Sequence, residues 1–394
     1  MKYMGSKRWM LRNGLGELLA REVRGATRFV DLFAGSGAVA AHVATSFQIP
    51  VVAFDLQKFS TVLTSAVLAR ASDIDAETLW RQWHTRAKAS RVSLRPPSAL
   101  KVTRERVDQQ RRWCAKQDWQ MTRAYGGYYF SGLQAVWLDA LRQTLPRHEP
   151  GKTVALAALI KAASECAAAP GHTAQPFRPS RKAKPFLKSA WHSDVVAHCK
   201  DALSAICKQH AKMIGTARVA DANEAAKGVE KGDLVFVDPP YSGVHYSRFY
   251  HVLETLARGQ CGEVSGAGRY PPTKERPNSR YSVQSKSAEA LDELLGSIAT
   301  RGATAIVTFP KRKCSNGLSG KIVAELGGKH FNVERKEVLS RFSTLGGNNA
   351  HRRARRLTHE LILVLRARKS PSRRSSARAP KSLAQSSLSA SARR

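Results

Sequence analysis

The sequence predicts an α/β fold: a mainly parallel, doubly wound sheet with an antiparallel edge, interrupted by a helical insert. Three observations carry that expectation. Short apolar runs of strand length alternate with helix-length stretches at both ends of the 394-residue chain. The last two such runs are joined by a basic loop with no helix between them, as antiparallel neighbours require. Between the second and third strand runs lies a long stretch rich in helix formers, Arg, Lys and Trp.

In chain order, Arg28-Phe-Val-Asp-Leu-Phe33 reads as a buried strand closed by the turn Ala34-Gly-Ser-Gly37. A helix over 38–45 and a second strand over 50–55 follow, with Asp55 at its tip, and then a helix over 56–70. The catalytic body thus begins as residues 1–72 and breaks off at an insert over 73–215. Strand signals resume at 217–221 and, more strongly, at Asp233-Leu-Val-Phe-Val-Asp238. Helices over 249–258 and 287–300, a strand over 304–309, a helix over 320–326 and closing strands over 331–338 and 359–365 complete a second part, 216–366. Beyond Leu365 the chain holds Arg, Lys, Ser, Ala and Pro with no acid, so 367–394 is expected to be a disordered basic tail.

Hydrophobic residues at 42% and charged residues at 24% are those of a globular protein. The longest Ala-rich run, 154–169, is broken by Lys161, Ser164 and Glu165, so no transmembrane helix is expected. The first ten residues carry basic side chains with no apolar core after them, unlike a secretory signal. Six cysteines show no C-x-x-C pair and no zinc spacing, which predicts reduced thiols, no metal and a reducing, cytoplasmic location. A net charge of +35 calls for a polyanionic partner. Within the insert, residues 81–123 carry twelve Lys/Arg against three acids, interleaved with Trp80, Trp83, Trp113 and Trp119. That mixture suits phosphate contacts with stacking, or a basic surface over a local tryptophan core.

Two places carry chemistry. Glycines at the turn after Asp31 let a backbone approach a ligand where a helix N-terminus points its amides outward. Asp55, on the next strand tip, suits the ribose hydroxyls of an adenosine cofactor, or else caps the following helix. Asp238-Pro-Pro-Tyr241 directly follows a buried strand, at the carboxyl end of the sheet. An exocyclic amine on a nucleobase is a poor nucleophile, because its lone pair is delocalised into the ring. A carboxylate and the adjacent backbone carbonyl can accept its two N–H bonds and leave that lone pair facing an electrophile. Two prolines hold Asp238 and Tyr241 rigid, and the tyrosine ring offers a stacking face.

Lys2-Tyr-Met-Gly-Ser-Lys7, Asp31-Leu-Phe-Ala-Gly-Ser-Gly37, Asp55 and Asp238-Pro-Pro-Tyr241 occur in the order found in the D12-class, Dam-like DNA adenine-N6 methyltransferases, which this chain resembles. Tyr246-Ser-Arg-Phe-Tyr-His-Val-Leu-Glu254 and Glu360-Leu-Ile-Leu363 add to the likeness, which covers roughly 1–70 and 216–366. The resemblance implies a Rossmann-like class I methyltransferase fold with S-adenosylmethionine as cofactor. Tyr3, Gly5, Ser6 and Lys7 would then close over its methionine end, and Asp31, Phe33, Gly35 and Gly37 would form its main pocket. Asp55 would hold the ribose, and Asp221 would meet the adenine amine or serve as an ordinary strand-end Asp. Asp238, Pro239, Pro240 and Tyr241 would be catalytic. His251 would sit near the target base or in the core.

The resemblance further implies double-stranded DNA as partner, with the 73–215 insert as its recognition region and a restriction–modification setting. Whether a cognate restriction endonuclease accompanies it stays open. So do two other readings: an RNA amino-group methyltransferase, such as an rRNA guanine-N2 enzyme, and a non-catalytic nucleic-acid-binding protein on the same scaffold. The wide separation of Asp31 from Asp238 leaves room for a DNA-recognition insert and favours the DNA enzyme.

Overall fold

The computed structural model describes residues 7–99, 101–343 and 355–368. Seven strands form one sheet: β1 Arg28–Asp31, β2 Val51–Asp55, β3 Thr216–Val219, β4 Asp233–Val237, β5 Thr304–Pro310, β6 Phe331–Ser343 and β7 Arg355–Ala367. Their order is β3-β2-β1-β4-β5-β7-β6. The first five pair in parallel, whereas β7 runs antiparallel to both β5 and β6. This is the class I arrangement with an antiparallel edge that the motif set implies.

Chain order reverses where β1 pairs with β2 on one side and β4 on the other, with Asp31 level with Ala53 and Phe236. A crevice opens at such a switch point, outside the carboxyl ends of the strands. All five residues of β4 are buried, which explains the unbroken apolar run before Asp238. Helices Ala38–Ser46, Lys58–Leu68, Ser287–Thr300 and Gly320–His330 connect the strands.

Two local outcomes differ from the sequence reading. Residues 8–23 are helical, broken at Asn13 and Gly14, and bury Met10, Leu15, Leu18 and Leu19. Gly14, with φ of +102°, interrupts the apolar period that would have marked this segment. The closing strands β6 and β7 run on into the basic 341–356 stretch, because ladder pairing satisfies the backbone without apolar side chains. The connection over 344–354, and 369–394 of the expected tail, lie outside the described residues.

The stretch between the helix Lys58–Leu68 and β3 is helical, as expected, in seven helices from Ala76–Ser90 to Val195–Cys207. Its core continues into that of the body: Trp83, Tyr125 and Leu159 share a cluster with Phe59, Tyr250 and Leu253. Trp80 and Trp83 are buried, and the Trp83 indole N–H donates to the Leu141 carbonyl at 2.9 Å. No helix among the described residues is long and apolar enough to cross a membrane.

Candidate active site

One cavity of about 950 Å³, open to solvent on one side, occupies the switch point. Two groups of side chains line it.

The first group comes from the ends of β1, β2 and β3. Asp31 closes β1 and accepts the Phe33 N–H at 3.2 Å; burial pushes its carboxyl up to about 8. The chain then turns through Gly35, whose φ of +53° an L side chain resists. Asp55 holds this turn: Oδ2 accepts the Gly35 N–H at 2.9 Å and Oδ1 accepts the Gln57 N–H at 2.9 Å. Burial raises the Asp55 carboxyl to about 6. The next helix is capped instead by Glu254, whose oxygens accept from the Lys58 and Phe59 N–H groups at 3.1 and 3.0 Å. Asp55 is thereby a pocket residue rather than the cap of that helix.

Asp221 lines the cavity and also caps the short helix Ala222–Ala226, accepting the Asn223 N–H at 2.9 Å. Phe33 meets Tyr281 edge-on at 5.1 Å between ring centroids. Gly37 is the exception. It is not among the lining residues but packs behind the turn, where an added Cβ would stand 2.7 Å from the Thr64 hydroxyl. Its contact with Thr64 is steric.

The second group follows β4. Asp238 Oδ1 accepts the Thr308 hydroxyl at 2.8 Å and lies 3.0 Å from Lys7 Nζ. Lys7, 4% exposed, also lies 3.0 Å from Glu360 Oε2 on β7. Burial works against the lysine charge, but the two carboxylates outweigh it and hold its pKa above the usual lysine value. Burial likewise pushes the Asp238 carboxyl up, while Lys7 restrains the shift and Glu360 adds to it. Pro239, Pro240 and Tyr241 line the same cavity, and the Tyr241 ring meets Tyr246 nearly perpendicularly at 6.3 Å.

The sequence reading named neither Thr308 nor the buried Asn316. The Asn316 amide donates to the Pro240 carbonyl at 2.8 Å and the Tyr281 carbonyl at 3.0 Å, tying both groups to one loop. A lone Asn in a loop after a strand carries no local signal of that role. His251 takes the core alternative: it is 2% exposed, with ring nitrogens 3.1 and 2.8 Å from the Arg248 and Gly268 carbonyls, and burial lowers its pKa to about 4. Tyr3, Gly5 and Ser6 lie outside the described residues.

This donor set can take an adenosine-bearing ligand at one end and a planar amine-bearing ring at the other. A profile of the D12 class N6 adenine-specific DNA methyltransferases matches residues 3–92 and 182–306. The chain belongs to this family. It is similar to the type II methyltransferase M.FokI of Planomicrobium okeanokoites, 25% identical over 316 residues that make up 75% of this chain and 42% of that protein. Over 68 residues, 17% of this chain and 10% of the other, it is 40% identical to the modification methylase LlaI of Lactococcus lactis subsp. lactis. Over 78 residues, 20% of this chain and 12% of the other, it is 32% identical to the modification methylase StsI of Streptococcus sanguinis. The chain spans less than half the length of these curated relatives.

Proposed function

We propose that the protein transfers a methyl group from S-adenosylmethionine to N6 of an adenine flipped out of double-stranded DNA at a defined sequence. The observation that carries this reading is that one cavity is lined by Asp31, Gly35 and Asp55 together with the Lys7-paired Asp238 and Tyr241. Family membership favours it over the RNA and non-catalytic alternatives.

The cofactor fits the first group by the chemistry of its donors. Asp55 keeps lone pairs for ribose hydroxyls beyond its two backbone bonds, Asp221 accepts an adenine amine, and Phe33 offers an apolar wall. Lys7, Asp31 and Gly35 would enclose the methionine end, with Tyr3, Gly5 and Ser6 preceding them in sequence. Bound there, S-adenosylmethionine supplies a methyl group on a positively charged sulfur. Asp238 and the neighbouring Pro239 carbonyl accept the two N–H bonds of the target amine and leave its lone pair free to face the donor. Tyr241 stacks on the base, and Asn316 keeps Pro240 from moving. The target lies inside the duplex stack, so it has to be extruded to reach this ledge.

The insert over 73–215 would read the DNA sequence, the basic tail would add phosphate contacts, and the setting would be cytoplasmic and DNA-associated. A cognate restriction endonuclease is the expected companion, since the relatives LlaI and StsI are named modification methylases. The test is expression in a host lacking DNA methylation, with modified bases read by long-read sequencing. N6-methyladenine at one sequence motif, lost with Asp238→Ala, is expected. Absence of methylated adenine with the unaltered chain overturns the reading.

A further inference from the structure

Four guanidinium groups lie over two tyrosine rings. The Arg248 and Arg276 guanidinium carbons stand 4.8 and 5.5 Å from the centre of the Tyr270 ring. Those of Arg111 and Arg269 stand 4.3 and 4.5 Å from the centre of the Tyr128 ring. Arg269 adjoins Tyr270 in sequence, so the two stacks are neighbours. They also reach the cleft: Arg248 follows Ser247 and Arg276 precedes Pro277, and both Ser247 and Pro277 line the cavity.

Packing alone does not account for this arrangement. One arginine covers a tyrosine face, and a second cation on the same ring adds like-charge repulsion. Among the described residues only Arg111 of the four has an ion-pair partner, Asp108 at 3.6 Å. Neutral acceptors fix the others. Arg269 Nε donates to the Ala124 carbonyl at 2.9 Å, and Arg276 donates from Nε to the Pro271 carbonyl at 3.2 Å and from Nη2 to the Thr273 hydroxyl at 2.9 Å. Arg111 Nε donates to the Gly127 carbonyl at 3.1 Å. A guanidinium has five N–H donors, so each keeps several for a ligand. The backbone bears strain at the same place: Arg269, with φ of +53°, is the only described residue other than glycine with a positive φ.

Cations that repel one another, are ordered before any ligand arrives and stand beside the cleft call for a polyanion. Guanidinium forks match phosphate oxygens, and side chains already held in place lose little entropy on binding. We propose that Arg248, Arg269 and Arg276, continued by Arg111 on the insert, form a preordered phosphate track for one DNA strand beside the cavity. Tyr270 and Tyr128 are its positioning residues, acting through the guanidiniums that they hold. The proposal rests on the DNA methyltransferase reading and adds to it the surface that grips the backbone, which neither the motifs nor the basic composition of the insert located.

The test uses the full chain and a labelled duplex of about 30 base pairs, since phosphate contacts need no particular sequence. Replacing Arg248, Arg269 and Arg276 together by alanine should lower the salt slope of binding by about two to three, near 0.9 per phosphate contact. Arg24, Lys231 and Arg301 are exposed and precede β1, β4 and β5, at the opposite edge of the sheet from the cavity. Replacing these three removes the same charge and should leave the slope unchanged. Tyr270→Leu keeps every cation but frees two of them, and should weaken binding about tenfold, while Tyr270→Phe, which keeps the ring, should bind as the unaltered chain does. Melting temperatures are read for every variant, and binding is compared on folded protein. An unchanged slope in the first triple variant, or an equal fall in both, overturns the track; Tyr270→Leu binding as tightly as Tyr270→Phe overturns the role of the ring. No duplex binding by the unaltered chain overturns the proposal outright. Binding with these slopes but no methylated adenine overturns the methyl-transfer reading and leaves the track standing.

Discussion

Lys7 Nζ stands 3.0 Å from Asp238 Oδ1, joining a residue near the start of the chain to the proposed catalytic carboxylate across a buried contact. Glu360 shares the same lysine at 3.0 Å. Three charges thus occupy one dry corner, two negative and one positive, and their balance sets the protonation of Asp238.

That balance predicts opposite pH effects for two substitutions. A protonated Asp238 cannot accept both as a carboxylate and as a charge, so activity falls on the acid side as it titrates. Lys7→Met removes the cation that lowers the Asp238 pKa and moves the acid limb to higher pH. Glu360→Gln removes the negative charge that raises it and moves the limb to lower pH. Rate profiles against pH for both variants check the signs; displacement in the same direction would refute the three-charge account.

Asp238→Ala should lower methyl transfer by about 10²–10³-fold or more, the usual cost of removing an electrostatic contact to the reacting group. S-adenosylmethionine affinity should fall less than the rate, because Asp31, Gly35, Asp55 and Asp221 remain in place around the cavity. Calorimetry beside a radiolabelled methyl-transfer assay separates the two effects.

Gly37→Ala tests the turn from behind. Its φ of +72° and the close approach to Thr64 should cost about 2 kcal/mol, read as a lower melting temperature. Cofactor affinity should fall with it, since Gly35 and Asp55 depend on the same turn.

Stability of the unliganded protein should decline as pH rises. The Asp31 carboxyl is pushed up to about 8 and that of Asp55 to about 6, both above the ordinary 3.8. Between those limits the native state holds more protons than the unfolded chain, so unfolding free energy falls with increasing pH. Melting temperatures from pH 5 to 8 should show this slope, and Asp31→Asn should flatten it.

The sequence exposed the parts of the site that are contiguous with strands. Asp31, Asp55 and Asp238 each terminate or follow a buried apolar run, so period and position marked them together. Lys7 was legible only through the motif around it, because nothing in a basic N-terminal stretch announces a buried partner. Glu360 was visible as part of a familiar strand but not as a charge partner. Glu254 was likewise visible only as the end of a familiar segment, and Thr308 and Asn316 were invisible, since each acts on residues distant in sequence and close only after folding. The helical segment over 8–23 was hidden by its glycines.

The Lys7–Glu360 contact has a consequence for how the protein is made. The two residues are 353 positions apart, and Glu360 lies on β7, inserted between β5 and β6. During synthesis, a ribosome has to deliver the last strand before the corner around Asp238 is electrically complete. A nascent chain halted before that point carries Asp238 and the turn at Gly35 but not the second carboxylate, so the three-charge corner is complete only when translation has passed the hairpin.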